Sequence, residues 1–487
     1  MRPKPTIANI TPIHSPLPSD LPALLRLARP TGPIPYLDSP SLPSPHKRGA
    51  LVEAKIIAET EAAVGVGIDA DGWLVLVPLT LVGEQVKARV DLVEGGIAHA
   101  RVPEEIVVKS AERVEPPCKL FERCSSCQLM HVGYDAQLAR KRDMVSKAFA
   151  EHAEELGLDT GSSSQDADAS ATARMRLPVP PVVPSPLKLG FRTKFTPHYN
   201  GRNCGETIDA IGFKVRAGGG IIDIDRCPVA TDAINHELTR VRARLIGQRA
   251  HGFAEGATLL FRNSLAFVDS KQKPPATITT HTDIVTDVIS GTTLRYPANS
   301  FFQTNSSILP PLISHIRETL APFTSPPAAA AHPRVTTLVD AFCGSGIFAL
   351  TLSEQFERTV GIEIDEQAVR WAKRAAQLSS RGGGRKRPEF FTGNLDDVFG
   401  AVIDPALDPD RTAVIVDPPS KGCGDRFLRQ VLSMSPKVIV YVSCNVRSLV
   451  EDVRVLVKGY RVADVRAFDM FPQTVHCECV ATLVRND

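Results

Sequence analysis

Residues 340–349 read Asp340-Ala341-Phe342-Cys343-Gly344-Ser345-Gly346-Ile347-Phe348-Ala349: an apolar run ending in an acid, a glycine turn, then an apolar helix-forming stretch. A strand that feeds a helix through glycines lets the backbone approach a ligand closely, because no Cβ stands in the way. Gly344, Gly346 and Ala349 fit G-x-G-x-x-G/A, and Glu363, about twenty residues on, ends the next strand, where an acid can grip a ribose diol. Alone, this turn separates neither a nicotinamide site from an S-adenosylmethionine site nor either from a turn that binds nothing. Outward from it, Val335–Asp340, Thr359–Glu363, Ala413–Asp417 and Val438–Ser443 repeat a strand, turn, helix rhythm. That alternation predicts a doubly wound parallel sheet.

The rest of the chain is organised differently. Its 487 residues, 43% hydrophobic and 23% charged, allow two or three domains. A mean hydropathy of −0.04 and the lack of a long apolar run exclude a membrane-spanning helix. Twelve of the 39 prolines fall in residues 1–46, which predicts a disordered Pro-rich segment. Short alternating runs between turn residues over 47–115 predict a small antiparallel β-barrel. Residues 116–300 read as an α+β middle domain, with helix over 128–155 and a Gly/Ser/Pro linker inserted at 156–187; residues 301–487 form the doubly wound domain. The whole is a multidomain chain. The net charge of +2 decides nothing about nucleic acid, and ten cysteines without a signal-peptide core predict a reducing, intracellular, cytoplasmic setting. Arg2 and Lys4 without an acid in the first nineteen residues keep a mitochondrial presequence in view, and a nuclear location stays open.

The chemistry is read from the ends of the later strands. Asp417-Pro418-Pro419 follows a buried strand, so Asp417 should face the ligand crevice at the carboxyl edge of the sheet. Cys444, in Ser443-Cys444-Asn445, ends the next strand and should reach the same crevice, and Asp469-Met470-Phe471-Pro472-Gln473-Thr474-Val475-His476-Cys477-Glu478 adds a carboxylate there. A pyrimidine C5 is a poor nucleophile, and methylating it requires temporary addition of a nucleophile at C6. A thiolate can supply that addition, and a base can then remove the C5 proton.

The set Phe301-Phe302-Gln303-Thr304-Asn305, Asp340–Gly346, Gly361-Ile362-Glu363-Ile364-Asp365, Asp417-Pro418-Pro419, Ser443-Cys444-Asn445 and Phe471–Glu478 resembles, in order and spacing, the RNA uracil-5-methyltransferase family over about residues 47–487. The resemblance implies that Cys444 adds to uracil C6 and Glu478 takes the C5 proton. It implies that Gln303, Phe342, Glu363 and Asp417 hold S-adenosylmethionine, with Asn394 near the adenine, and that the 47–115 barrel is a TRAM/OB-like module. Three departures from the family pattern stand out: Phe342 in place of Tyr, Ser420 in place of Arg, and Val446 in place of Pro.

Cys118, Cys124 and Cys127 form C-x5-C-x2-C, and Cys227 before Pro228 offers a fourth thiolate, with Cys204 a rival. Four thiolates suit zinc or an iron–sulfur cluster, and the pattern resembles the [4Fe–4S] site of part of this family. Ala169–Gly205 contains no acid but has Arg174, Arg176, Lys188, Arg192, Lys194 and Arg202 interleaved with Phe191, Phe195 and Tyr199. This stretch predicts an RNA-binding face. The family resemblance implies an RNA partner, transfer RNA at uridine 54 first and ribosomal RNA second; a monomer that binds it with the target base flipped out is expected. A nicotinamide oxidoreductase and a catalytically silent RNA-binding protein are the competing readings.

Overall fold

The computed structural model describes residues 17, 21–28, 44–159, 177–199, 207–216, 219–249, 257–268, 271–326, 333–379, 387–395 and 407–486. Cys204, Arg174, Arg176 and Arg202 lie outside them. The chain divides into two compact units: Met1–Gln137 with Phe213–Ile222 and Gln473–Val475, and Leu138–Gly212 with Asp223–Pro472 and His476–Asp487.

In the first unit, β1 (Leu51–Glu59), β2 (Val64–Asp69), β3 (Leu74–Pro78), β4 (Gln85–Glu94), β5 (Ile97–Ala100) and β6 (Glu105–Val108) make one sheet in the order β1-β2-β3-β5-β4-β6. β1 also pairs with the first half of β4. This overturns the expectation of a small antiparallel barrel. The element is a mixed six-stranded sheet, because β5 returns beside β3 in the parallel sense. The alternation read from the sequence holds: Val52, Ala54, Ile56 and Ala58 of β1 are all buried. Within the 1–46 segment expected to lack order, Leu21–Ala28 is a helix, α1. Leu21 and Leu25, one turn apart, pack with Ala58, Val64, Val66 and Ile68, and each buried leucine contributes roughly 1.5–3 kcal/mol. The proline count hid this short amphipathic stretch.

The predicted cluster is also overturned. Cys118, Cys124 and Cys127 lie in the first unit and Cys227 in the second. Among the described residues, no group of three or more His, Cys, Asp or Glu side chains is arranged to hold a metal ion. Backbone polar groups organise the cysteine loop instead. One Arg216 nitrogen, Nη2, donates to the carbonyls of Phe121, Cys124 and Cys127 at 3.2, 2.8 and 2.7 Å, and the guanidinium lies over the Phe121 ring.

In the second unit, β7 (Thr337–Ala341), β8 (Arg358–Glu363), β9 (Glu389–Thr392), β10 (Thr412–Val416), β11 (Val438–Ser443), β12 (Tyr460–Phe468) and β13 (Glu478–Arg485) form a seven-stranded sheet, order β9-β8-β7-β10-β11-β13-β12. β9 through β11 in that order are parallel, while β13 runs antiparallel to both β11 and β12. This is the doubly wound sheet expected, with an antiparallel edge. β7, β10 and β11 are buried along their whole length, as strands covered on both faces must be. Successive residues serve opposite cores. Leu338 packs toward α4 (Leu309–Thr324), α5 (Ile347–Leu352) and α6 (Glu366–Ser379). Val339 packs toward α2 (Tyr134–Ala150), α7 (Asp425–Met434) and α8 (Val446–Leu456). Leu156, Leu158, Val179 and Val182, at the two ends of the predicted linker, belong to the second of these cores. Phe191 and Phe195 are buried too and belong to the core.

Candidate active site

The sheet order changes direction between β7 and β10, and the crevice at their carboxyl ends is where an open α/β sheet binds ligands. The chain leaves β7 through Phe342, Gly344 and Gly346, at φ of +64°, +53° and +84°. The two glycines take that region without penalty; Phe342, with a Cβ, is strained by about 1–2 kcal/mol. Its ring stands edge-on to Phe427, 5.4 Å between centroids. Buried Asp340 fixes the turn by accepting from the Ala349 N–H at 2.8 Å. A Cβ on Gly361 would meet the Phe390 ring at 2.5 Å, so this glycine is what lets β8 lie under the aromatic.

Glu363 ends β8 with both carboxylate oxygens already oriented. Oε2 accepts from the Gly344 N–H at 3.0 Å and Oε1 from the Asp365 N–H at 2.9 Å. The glycine turn and the acid, separated in sequence, are thus one hydrogen-bonded object. Ile364 beside it is 66% exposed, an apolar face at the same strand end. Asn394 lies just beyond β9 and is exposed. Gln303 is half-buried, in a segment whose Thr304 carbonyl accepts from the Thr193 N–H at 2.8 Å.

Asp417 follows β10, and Cys444 follows β11. Because Ser443 pairs with Cys479 in the antiparallel β11–β13 ladder, the register sets Cys444 opposite Glu478. Glu478 is 2% exposed, and its Oε2 has no hydrogen-bond partner. These acids crowd one another. Burial, then Glu363, pushes Asp417 up to about 7. Burial, then Asp417 and Cys477, holds Glu478 well above the carboxylate range. Burial, then Glu478 and Asp417, pushes the Cys444 thiol up to about 12. The resting crevice therefore carries fewer negative charges than it has acids, and a cationic ligand would relieve it.

The loop after Asp417 needs no side chain at residue 420 to hold it. The Ser420 carbonyl accepts from Asn445 Nδ2 at 2.8 Å and from Ser448 Oγ at 3.0 Å. The Arg-to-Ser departure thus leaves the anchor in place. Asn445 also caps α8, its side chain accepting from the Arg447 N–H. Val446 is then the first helical residue, whose N–H has no intrahelical partner, so lacking proline there removes no hydrogen bond.

The sequence reading assigned no role to three buried residues that build the site, Asn305, Lys141 and Asp469. Asn305, fully buried, donates to Ser185 Oγ at 3.0 Å and to the Met470 carbonyl at 3.2 Å. Lys141 donates to Asp469 Oδ1 at 2.5 Å, and both are buried. No local pattern signals the latter pair, because its members are 328 residues apart.

The chain is similar to several known proteins. Residues 277–486 match the family model described as tRNA (Uracil-5-)-methyltransferase. The tRNA (uracil(54)-C(5))-methyltransferase of Schizosaccharomyces pombe is 34% identical over 453 residues, covering 91% of this chain and 79% of that protein. Its Saccharomyces cerevisiae counterpart is 30% identical, covering 75% of this chain and 62% of that one. Among solved structures, Pyrococcus abyssi tRNA (uracil-54, C5)-methyltransferase in complex with S-adenosyl-L-homocysteine superposes with a TM-score of 0.59 at 22% identity. That match covers 88% of this chain and all of that one, and establishes a shared fold.

Proposed function

The chain belongs to the tRNA (uracil-5-)-methyltransferase family, and on that premise we propose that it methylates uridine 54 of transfer RNA through a covalent bond to Cys444, with Glu478 as the base. The enzyme is S-adenosylmethionine-dependent and acts on uracil C5 in transfer RNA. The observation that carries the residue roles is the register that sets a half-buried thiol opposite a buried carboxyl with an unpartnered oxygen.

The strand ends fit S-adenosylmethionine. Glu363, oriented by two backbone N–H groups, suits a ribose diol; Ile364 and Asn394 suit an adenine; Gln303, Phe342 and Asp417 complete the set. When bound, this group supplies an electrophilic methyl on a cationic sulfonium. Everything else falls to the chain. As the Cys444 sulfur bonds to C6, its S–H bond breaks and the proton passes to solvent at the half-buried thiol. The C5=C6 electron pair becomes available at C5 to take the methyl group, whose former bonding pair would stay with the sulfur it leaves. Glu478 then accepts the C5 proton, the double bond re-forms and the thiolate leaves. Burial raises the proton affinity of Glu478, which makes it the stronger base once ionised. Arg192 and Lys194, half-buried beside the core phenylalanines, support the RNA-binding reading, with the target base flipped to reach the crevice. Every residue of this scheme lies in one unit of one chain, which supports action as a monomer. No helix among the described residues is long and apolar enough to cross a membrane.

The test is incubation with 5-fluorouridine-substituted transfer RNA and S-adenosylmethionine. A denaturation-stable adduct that requires Cys444 is expected, and a transcript lacking uridine 54 should give none. Tight RNA binding with no adduct refutes the covalent route.

A further inference from the structure

Between Phe468, the last residue of β12, and Glu478, the first of β13, the chain makes a loop whose two feet are paired with each other. Whatever fixes this loop fixes the start of β13, and with it the carboxyl of Glu478. The loop's first residue is Asp469, 0% exposed, and its Oδ1 accepts from Lys141 Nζ at 2.5 Å. The same ammonium, on a side chain 1% exposed, donates to the Phe471 carbonyl at 3.0 Å. The Asp469 N–H donates to the Val183 carbonyl at 2.9 Å, and Asn305 holds the Met470 carbonyl.

Burying an ammonium and a carboxylate is costly, and apolar side chains of similar volume usually hold such a junction as well or better. What an ion pair with a second acceptor adds is direction. One ammonium that must serve both Asp469 and the Phe471 carbonyl fixes the loop's path out of β12 as well as its depth. The charge is also felt at the loop's far foot. Burial first and then Lys141 lower the pKa of His476, and the Cys479 hydrogen bond first and then Lys141 lower that of Cys477, the two residues immediately before Glu478.

We propose that Lys141 is a positioning residue for the proton-removal half of the reaction, holding the Asp469–Cys477 loop so that Glu478 meets the C5 proton. The proposal rests on Cys444 as nucleophile and Glu478 as base. In the step it serves, the C5–H bond breaks toward a Glu478 oxygen, that electron pair re-forms C5=C6, and the C6–S bond breaks to return the Cys444 thiolate. The bond to C6 and the methyl transfer precede this step and do not use Glu478.

The experiment separates the two halves in the full-length chain. With 5-fluorouridine transfer RNA and S-adenosylmethionine, Lys141→Met should form the denaturation-stable adduct as fully as wild type, because fluorine occupies the position of the proton. With ordinary uridine RNA it should turn over about 10²-fold more slowly, with KM for RNA little changed, and protein-linked RNA should accumulate during turnover. Lys141→Arg should recover much of the rate. Lys141→Met/Asp469→Leu, which leaves no lone buried charge, should melt at or above the wild-type temperature and still show the slow step. Wild-type turnover by the folded double variant overturns the proposal, as does loss of fluorouridine adduct in parallel with turnover. Absence of adduct from the wild-type enzyme itself overturns the covalent reading beneath it.

Discussion

Cys444, Cys477 and Cys479 gather around Glu478 at the edge of the catalytic sheet, whereas Cys118, Cys124 and Cys127 sit half-buried in a loop of the other unit. The second set is closer in sequence and has the spacing of metal ligands, yet the first is the one that strand register gathers around a buried carboxyl. Cys477, just before β13, and Cys479 within it flank Glu478, their sulfurs 3.8 Å apart, and Cys444, just after β11, faces it because the two strands pair. In the loop, Arg216 donates to the carbonyls of Phe121, Cys124 and Cys127 and lies within electrostatic reach of the Cys124 and Cys127 thiols. Proximity along the chain is therefore a weaker guide to a thiol's chemistry than the strand register that places it.

The sharpest way to break this contrast is Cys444→Ala. Turnover should fall on the order of 10⁴-fold or more, with no adduct on fluorouridine RNA. A variant with measurable activity would put the nucleophile elsewhere, and mass spectrometry of the trapped peptide would say where. Glu478→Gln should come next, lowering turnover about 10²–10⁴-fold while leaving the fluorouridine adduct intact. If adduct and turnover vanish together, Glu478 does more than remove the proton.

Asp417→Asn sharpens the electrostatic side. A carboxyl raised to about 7 in the folded chain binds its proton more tightly there than when unfolded, so its contribution is present at low pH and lost as pH rises to about 7. The asparagine variant should therefore gain stability over wild type between about pH 4 and 7, levelling at roughly 2–4 kcal/mol, while its affinity for S-adenosylmethionine falls. Thermal melts across that range check the first part and calorimetry the second; a flat stability difference would remove Asp417 from the crowded set.

The smallest effects belong to the other region. Arg216→Met should destabilise by about 1–3 kcal/mol, since it strips a shared donor from half-buried carbonyls. Cys118→Ser, Cys124→Ser and Cys127→Ser should each cost less than about 1 kcal/mol. Chelator should leave the melting temperature unchanged. A larger loss from any one of the three serines than from Arg216→Met would make the thiols, and not the arginine, the organisers of that loop.

Much of the catalytic sheet was legible because its signals are local. Glycine turns after apolar runs, an acid at the next strand end and a cysteine closing a later strand are read within a few residues, and all fall at the carboxyl edge. The N-terminal sheet was less legible, because alternation reports which residues face inward and says nothing of which strands pair. The parallel return of β5 beside β3 is invisible to it. Helix α1 was missed because composition averages over a short eight-residue helix whose four leucines are diluted by the surrounding prolines.

What the sequence by itself determined is the set of chemical parts: a glycine turn with Glu363, an acid after β10, a thiol after β11 and the carboxyl of Glu478, in an order that parallel strands, and one antiparallel strand starting at their carboxyl ends, bring to one edge. Only the tertiary structure decided their state. The crowding that raises Asp417, Glu478 and Cys444, the Gly344 N–H that helps aim Glu363, and the Lys141–Asp469 tether all depend on distances between residues far apart in the chain. Periodicity fixes the direction of a side chain within its own element; it carries no information about the dielectric or the neighbours that side chain will meet.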